Sequence, residues 1–203
     1  LVDSRLQICA ESFLDIHHNL LSRSGRVEEI TKIVSHSQAL AQCRDWLSRH
    51  FPTAELEEVT STSHAASMAA QNSSVAAVSS ALAAEIYGLQ VVAANIEDQS
   101  HNITRFFVIG QHAAKPSRRD KTSLAFSVRD EPGILHRMLR PFANRKINLS
   151  KIESRPIKNK PWEYMFFLDL KGHKDEPRVK SAIHQVERHC TFFKILGSYP
   201  SGA

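Results

Sequence analysis

Hydrophobic and polar positions change period several times along this 203-residue chain, and the second half is the easier to read. In "TSLAFSVRD" Leu124, Phe126 and Val128 alternate with polar neighbours, the period of a half-buried strand. "DEPGILHRMLRPFANRK" then shifts to helical spacing, with Ile134, Leu135, Met138, Leu139 and Phe142 on one face. Asp130 is placed to cap that helix and Pro132 suits its first turn. Pro141 predicts a kink or an early end, because its ring clashes with the carbonyl four residues back. "INLSKIESRPI" and "WEYMFFLDLKG" read as paired strands around a basic turn. "DEPRVKSAIHQVERHC" carries Val179, Ala182, Ile183 and Val186 at helical spacing, and "TFFKILGSYP" closes the set as a last strand. The order β-α-β-β-α-β is the ferredoxin-like, split β-α-β arrangement.

The first half is patterned differently. Val75 to Val78 form a short apolar strand, after which Ser79 and Ser80 can cap a small-residue helix running to Ile86. Gly88 can stop that helix, and a strand returns at "TRFFVIG". "EVTSTSHAASMAAQ" reads as a strand ending in a Ser/Thr cluster that opens a helix over residues 64–70. "SQALAQCRDWLSRHF" reads as one amphipathic helix with Leu40, Cys43, Trp46 and Leu47 inward. Strand, hydroxyl-rich turn and helix in repetition predict an α/β fold whose helix N-termini can bind anionic groups. Between the halves, "HAAKPSRRD" is polar and basic and contains Pro116, the signature of a linker. The expected domains are therefore residues 1–111 and 121–203, joined by a linker over 112–120.

Composition narrows the function classes. A hydrophobic content of 42% fills cores, and no apolar run reaches the roughly 18–20 residues of a membrane span. The first residues carry no basic start followed by an apolar stretch, so no secretory signal and no membrane partner are expected. Cys9, Cys43 and Cys190 are far apart and form no Cys-x-x-Cys pair, which argues against a disulfide framework or zinc site and fits a reducing cytoplasm. The formal net charge is +5, but Lys and Arg are scattered without interleaved aromatics, so no nucleic-acid partner is expected. His17, His18 and His64 show no metal-ligand spacing, and no metal or cofactor is called for.

Several segments in both halves carry a family resemblance. "STSHAA" (61–66), "AAEIYGLQVV" (83–92) and "NITRFF" (102–107) resemble the C-terminal part of the prephenate dehydratase catalytic domain, and "SHSQALAQ" (35–42) is similar to a segment that supplies a Ser and a Gln. "DEPGIL" and "KIESRP" resemble the two signatures of the ACT domain attached to these enzymes, over about residues 122–200. "ESRPIKNKPWEYMFFLD" gives the chain the flavour of the bacterial bifunctional chorismate mutase–prephenate dehydratases. The resemblance implies an α/β fold: part of a two-lobed, periplasmic-binding-protein-like dehydratase domain, followed by the ferredoxin-like ACT domain. The family's Gly-rich, Phe-containing opening and its Pro-Ile-Glu-Asn stretch do not occur here. By alignment with the family, residue 1 falls just after the second of these. The chain is accordingly expected to be a piece of a longer polypeptide, with little or no dehydratase activity alone.

By the same resemblance the substrate is prephenate and the product phenylpyruvate. Thr104 is implied as the donor-side catalytic residue, and Arg105 would hold charge or the loop itself. Ser35 and Gln42 are implied as catalytic too: seven residues apart, two helical turns, they would face the same cleft, although they could equally be a helix-cap Ser and a solvated Gln. Thr62, Ser63 and Phe106 would bind substrate, although Thr62 and Ser63 could equally cap the helix that follows. In the regulatory half the resemblance implies a phenylalanine site at a contact between two subunits, in a dimer or tetramer. Its residues would be Gly133, Ile134, Leu135 and His136 with Glu153, Ser154, Arg155 and Pro156, and the aromatic strand Trp162–Phe167 could take the ring. On their own, Glu153 and Arg155 also read as a strand-end salt bridge, Thr104 as a strand hydroxyl and Arg105 as a surface charge. A second function class stays open: an amino-acid-binding ACT fragment without catalysis.

Overall fold

The computed structural model describes residues 1–99, 102–157 and 164–202. The chain forms two compact units: Leu14–Thr104, and Leu1–Phe13 together with Arg105–Ala203. The strand β1 (Gln7–Asp15) runs across the first division.

The unit of residues 14–104 is a three-layer α/β lobe. Its strands are β2 (Asn19–Ser22), β3 (Lys32–Ser35), β4 (Glu55–Glu58), β5 (Val75–Ser79) and β6 (Gln90–Ala93), in the sheet order β4-β3-β5-β2-β6. β3 pairs parallel with β4 and β5, while β2 pairs antiparallel with β5 and β6. Alternation along the strands feeds two cores. Leu20, Ile33, Ala76 and Val78 pack on one face with Leu40, Cys43 and Leu47; Leu21, Val34, Val75 and Ala77 pack on the other with Ala65, Ala66, Ala69, Ala83 and Ala84.

The segment expected to be one helix is two, α1 (Ser37–Gln42) and α2 (Arg44–His50), broken at Cys43. The break has a visible cause. The Asp98 carboxylate accepts the backbone N–H of Asp45 at 3.0 Å and of Trp46 at 2.9 Å, capping α2 from outside the helix. α3 (Thr62–Gln71) begins two residues earlier than the pattern implied, with Ser61 as its N-cap accepting from His64 N–H. α4 (Ala81–Tyr87) has Ser80 as N-cap and ends at Gly88, whose φ of 64° is the left-handed conformation that suits glycine.

β7 (Ile103–Gly110) runs across the second division and pairs with β1, and β8 (Asp120–Ser127) starts the second sheet of the other unit. Of the expected linker 112–120, residues 112–119 carry no helix or strand, and Asp120 already opens β8. The sheet is completed by β9 (Leu149–Pro156), β10 (Tyr164–Lys171) and β11 (Phe192–Pro200) in the antiparallel order β11-β8-β10-β9. This is the ferredoxin-like topology. α5 (Ile134–Asn144) and α6 (Pro177–Glu187) cover one face, where Leu124, Phe126, Met138, Phe142, Leu168, Val179 and Val186 form the core. α5 starts after Gly133 rather than at Asp130, and it continues across Pro141 to Asn144, so the early end does not occur. Leu135 is left partly exposed.

On the opposite face, Ile8 of β1 packs with Ala125, Leu196 and Tyr199. The approach is close: a Cβ on Gly197 would lie 2.2 Å from the Ile8 carbonyl oxygen.

Candidate active site

In the first lobe the carboxyl ends of β3 and β4 open onto the starts of α1 and α3, the position where open α/β sheets commonly bind ligands. A cleft of about 350 Å³ lies there, walled by Ile16, His18, His36, Gln42, Thr62 and Thr104 among others. Thr104, Gln42 and Thr62, nominated from widely separated motifs, thus line one cleft. Gln42 is not free to turn. His18 Nε2 lies 2.8 Å from its Oε1, and its amide donates to Asn102 Oδ1 at 3.1 Å. His18 is in turn anchored, its backbone N–H reaching Glu97 at 2.9 Å, while His17 Nδ1 holds the other oxygen of that carboxylate at 2.7 Å. Burial raises the Glu97 pKa, but these hydrogen bonds outweigh it and keep the carboxyl below its ordinary value.

Other nominated residues are elsewhere. Ser35 is the last residue of β3, not part of a helix, so the two-turn spacing to Gln42 is not realised; its buried hydroxyl donates to the Val78 carbonyl at 2.6 Å. Ser63 is exposed and does not line the cleft, and the helix cap is Ser61. Phe106 is exposed on β7. Cys43 is no candidate nucleophile: burial first, then the nearby Asp98 and Glu97 charges, push its thiol up to about 12.

Arg105 is neither in the cleft nor a surface charge. Within the regulatory unit its Nε donates to Glu11 Oε2 at 2.7 Å and its Nη2 to Tyr199 Oη at 2.8 Å, while Nη1 pairs with Asp169. The guanidinium also sits 4.4 Å from the Phe107 ring centroid. Glu11 has a fully buried side chain and accepts from Lys121 Nζ at 2.7 Å and from Gly202 N–H at 3.0 Å. Ser123 joins Asp169 Oδ1 at 2.5 Å to Tyr199 Oη at 2.6 Å. Burial pushes Glu11 up, but Lys121, Gly202 and Arg105 together hold it below the ordinary carboxylate value. Burial raises Tyr199 to about 12.

Of the residues expected at an effector site, Gly133 is left-handed at φ 76° and precedes α5, and Ile134 N–H is taken by the Glu131 carbonyl at 3.1 Å. Leu135 and His136 are exposed in the first turn. Glu153 forms the strand-end ion pairs that its neighbours suggested, with Arg155 Nε at 2.6 Å and Lys151 Nζ at 2.8 Å. Glu153 and Arg155 line a cavity of about 210 Å³ with Lys151, Phe167, Phe107, Ser123 and Asp169. Ser154 and Pro156 are exposed on β9 and do not line it. Pro156 pairs with Tyr164 and Ser127 with Met165, so the end of β9 and the turn leading to Gly133 lie at the same end of the sheet. Trp162 lies outside the described residues. Among the described residues no group of three His, Cys, Asp or Glu side chains is arranged to hold a metal.

The family model for prephenate dehydratase matches residues 1–114, and that for the ACT domain matches residues 122–188. The chain belongs to the prephenate dehydratase family. A prephenate dehydratase of Methanocaldococcus jannaschii is 37% identical over 200 residues, covering 96% of this chain and 71% of that protein. A bifunctional chorismate mutase/prephenate dehydratase of Aquifex aeolicus is 45% identical over 199 residues, covering 98% of this chain and 55% of that one. The chain therefore spans about half the length of the bifunctional relatives it matches. Among solved structures, the prephenate dehydratase of Arthrobacter aurescens in complex with L-Phe superposes with a TM-score of 0.88 at 32% identity, covering 98% of this chain and 67% of that one.

Within this prephenate dehydratase lobe, His18, His36 and Asn102 are cleft residues that motif reading did not nominate. Asn102 stood inside the quoted "NITRFF". His18 was weighed only as a metal ligand, and its partner Gln42 is 24 residues away, so only the fold brings the two together.

Proposed function

We propose that the protein carrying this chain converts prephenate to phenylpyruvate in phenylalanine biosynthesis, and that phenylalanine inhibits it through the ACT unit. The observation that carries the reading is Thr104 lining one cleft with Gln42 and Thr62, inside the residues that match the catalytic family. In the reaction, the bond from the ring to its carboxylate breaks and its electron pair flows into the ring as the carbon–oxygen bond to the hydroxyl breaks. Carbon dioxide and water leave, and aromatisation drives the step. The departing oxygen needs a proton or a strong hydrogen bond, and the Thr104 hydroxyl is the donor proposed for it. A threonine is a weak acid, so Gln42, fixed by His18 and Asn102, supplies the polarity beside it.

The substrate carries two carboxylates. No Lys or Arg is among the described residues that wall the cleft. From this chain, carboxylates are therefore met by the Thr62 hydroxyl, the N–H groups at the start of α3, and His18 or His36. Ser35 acts from behind, tying the end of β3 to β5.

The effector reading rests on Gly133–His136 and Glu153–Pro156 lying at one end of the regulatory sheet, and the relative solved with L-Phe supports phenylalanine as the ligand. A site shared by two subunits makes the protein a dimer or tetramer; the cytoplasm is the proposed compartment. No described helix is long and apolar enough to cross a membrane.

The deciding experiment is steady-state kinetics of the full-length protein and its Thr104→Ala variant. Turnover should fall at least about 100-fold, within the usual range for a proton donor, with little change in KM. An undiminished rate would remove Thr104 from the chemistry.

A further inference from the structure

Two adjacent residues of one motif have different surroundings. Thr104 walls the cleft of the first lobe, while the Arg105 side chain is engaged within the regulatory unit. We propose that Arg105 is a positioning residue, one that anchors β7 within its own unit through Glu11, Asp169 and Tyr199, at the residue next to Thr104, and does not contact substrate. This rests on the dehydratase reading above.

Charge balance argues for it first. Arg105 and Lys121 face Glu11 and Asp169, two cations against two anions, so the cluster is neutral and offers no surplus field to an anionic substrate. Burial argues next. The Glu11 side chain is fully buried and that of Asp169 is 7% exposed. Turning the guanidinium toward a substrate carboxylate would leave both acids short of a partner in a poorly solvated place, which is strongly unfavourable. Geometry argues last. The fork of Arg105 is divided among β1, β10 and β11 through Glu11, Asp169 and Tyr199, a pattern a flexible ammonium cannot reproduce.

The same cluster borders a cavity of its own unit: Ser123 and Asp169 line the 210 Å³ cavity together with Glu153 and Arg155. A change at β9 or β10 that moves Asp169 changes the hold on Arg105.

The test uses the full-length protein with Arg105→Lys, and with Asp169→Asn as a near-isosteric change that leaves the arginine present. Two readouts are taken: prephenate kinetics with and without phenylalanine, and amide hydrogen exchange over residues 103–107. Both variants should keep KM within about threefold, lower kcat about tenfold or more and weaken phenylalanine inhibition at least about fivefold. Exchange at 103–107 should rise in both. A tenfold or larger rise in KM with kcat and phenylalanine response retained would put Arg105 on the substrate and overturn the inference. Unchanged exchange in both variants would overturn it as well, whatever the activity. A wild-type protein with no turnover would instead remove the dehydratase reading, and the exchange result would still judge whether Arg105 holds the strand.

Discussion

His18, Gln42 and Asn102 in one unit and Glu11, Arg105 and Asp169 in the other are all sequestered polar groups, and they are satisfied on different terms. The first set is a chain of neutral hydrogen bonds open to a cleft on one side. The second is a run of ion pairs, Lys121–Glu11–Arg105–Asp169, closed into a ring only by hydrogen bonds through Ser123 and Tyr199, with Glu11 meeting both cations and a backbone N–H. A neutral chain with one open side can exchange a partner for a ligand at small cost, whereas a buried ionic ring loses heavily when any member leaves. On the proposed reading, the comparison separates residues that line a substrate cleft from residues that hold the other unit in shape.

The largest effect should come from breaking the ring. Glu11→Ala strips two cations of their shared partner, and removing one member of a buried pair typically costs about 3–5 kcal/mol. Denaturant melts should register a loss of that size in the regulatory unit. A loss below about 1 kcal/mol would mean the ring is as exchangeable as the cleft.

Next comes a purely steric challenge to the same assembly. At Gly197→Ala the new methyl would meet the Ile8 backbone at 2.2 Å, and backbone cannot move aside as a flexible side chain can. Overpacking of this kind costs about 1–3 kcal/mol. Melts of this variant should show that loss, with Gly88→Ala as a control for left-handed strain without crowding, since nothing lies within 4 Å of its Cβ.

A smaller effect is expected in the cleft. His18→Ala removes one hydrogen bond to Gln42, about 0.5–1.5 kcal/mol. In the full-length protein turnover should fall roughly two- to tenfold, with the melting profile of the regulatory unit unchanged. Unaltered kinetics would take the His18–Gln42 chain out of the proposed mechanism.

These contrasts also explain what the sequence could convey. The regulatory core was legible because Leu124, Phe126, Val179 and Val186 follow simple periods and are all buried where the periods put them. The capping of α4 by Ser80 and its arrest at Gly88 were local signals and could be read locally. The break at Cys43 was not, because its cause is Asp98, more than 50 residues away. The late start of α5 depended on a left-handed Gly133 that competes with the Asp130 cap, a choice that residue preference alone leaves open. For the candidate site, motif resemblance nominated Thr104, Gln42 and Thr62, but it left Arg105 to hold either charge or the loop itself. Side-chain alternation along a strand gave a warning, since neighbours point to opposite faces. What Arg105 meets was invisible, because Glu11 and Asp169 lie 94 and 64 residues away.

The finest comparison is between two depressed carboxylates of the regulatory unit. Both Glu11 and Glu153 are held below the ordinary value of 4.5. For Glu153 the causes are hydrogen bonds to Lys151 and Arg155 on a solvent-facing strand, with little opposition from burial. For Glu11 burial opposes ionisation and is overcome by Lys121, Gly202 and Arg105. A carboxyl whose folded value is depressed binds its proton more readily when unfolded. Its stabilisation is therefore present above the unfolded value and is lost as pH falls through the folded value. Salt should separate the two. At about 1 M ionic strength the screening length is about 3 Å, enough to weaken exposed pairs and not buried ones. Carboxyl titration by NMR at low and high salt should return Glu153 toward 4.5 and leave Glu11 depressed. In acid melts the Glu11→Gln variant should lose less stability than the wild type as pH falls below about 4.5, at either salt concentration. If Glu11 relaxes with salt as Glu153 does, the ring is solvated, and the distinction between a holding cluster and a binding surface fails at its most direct point.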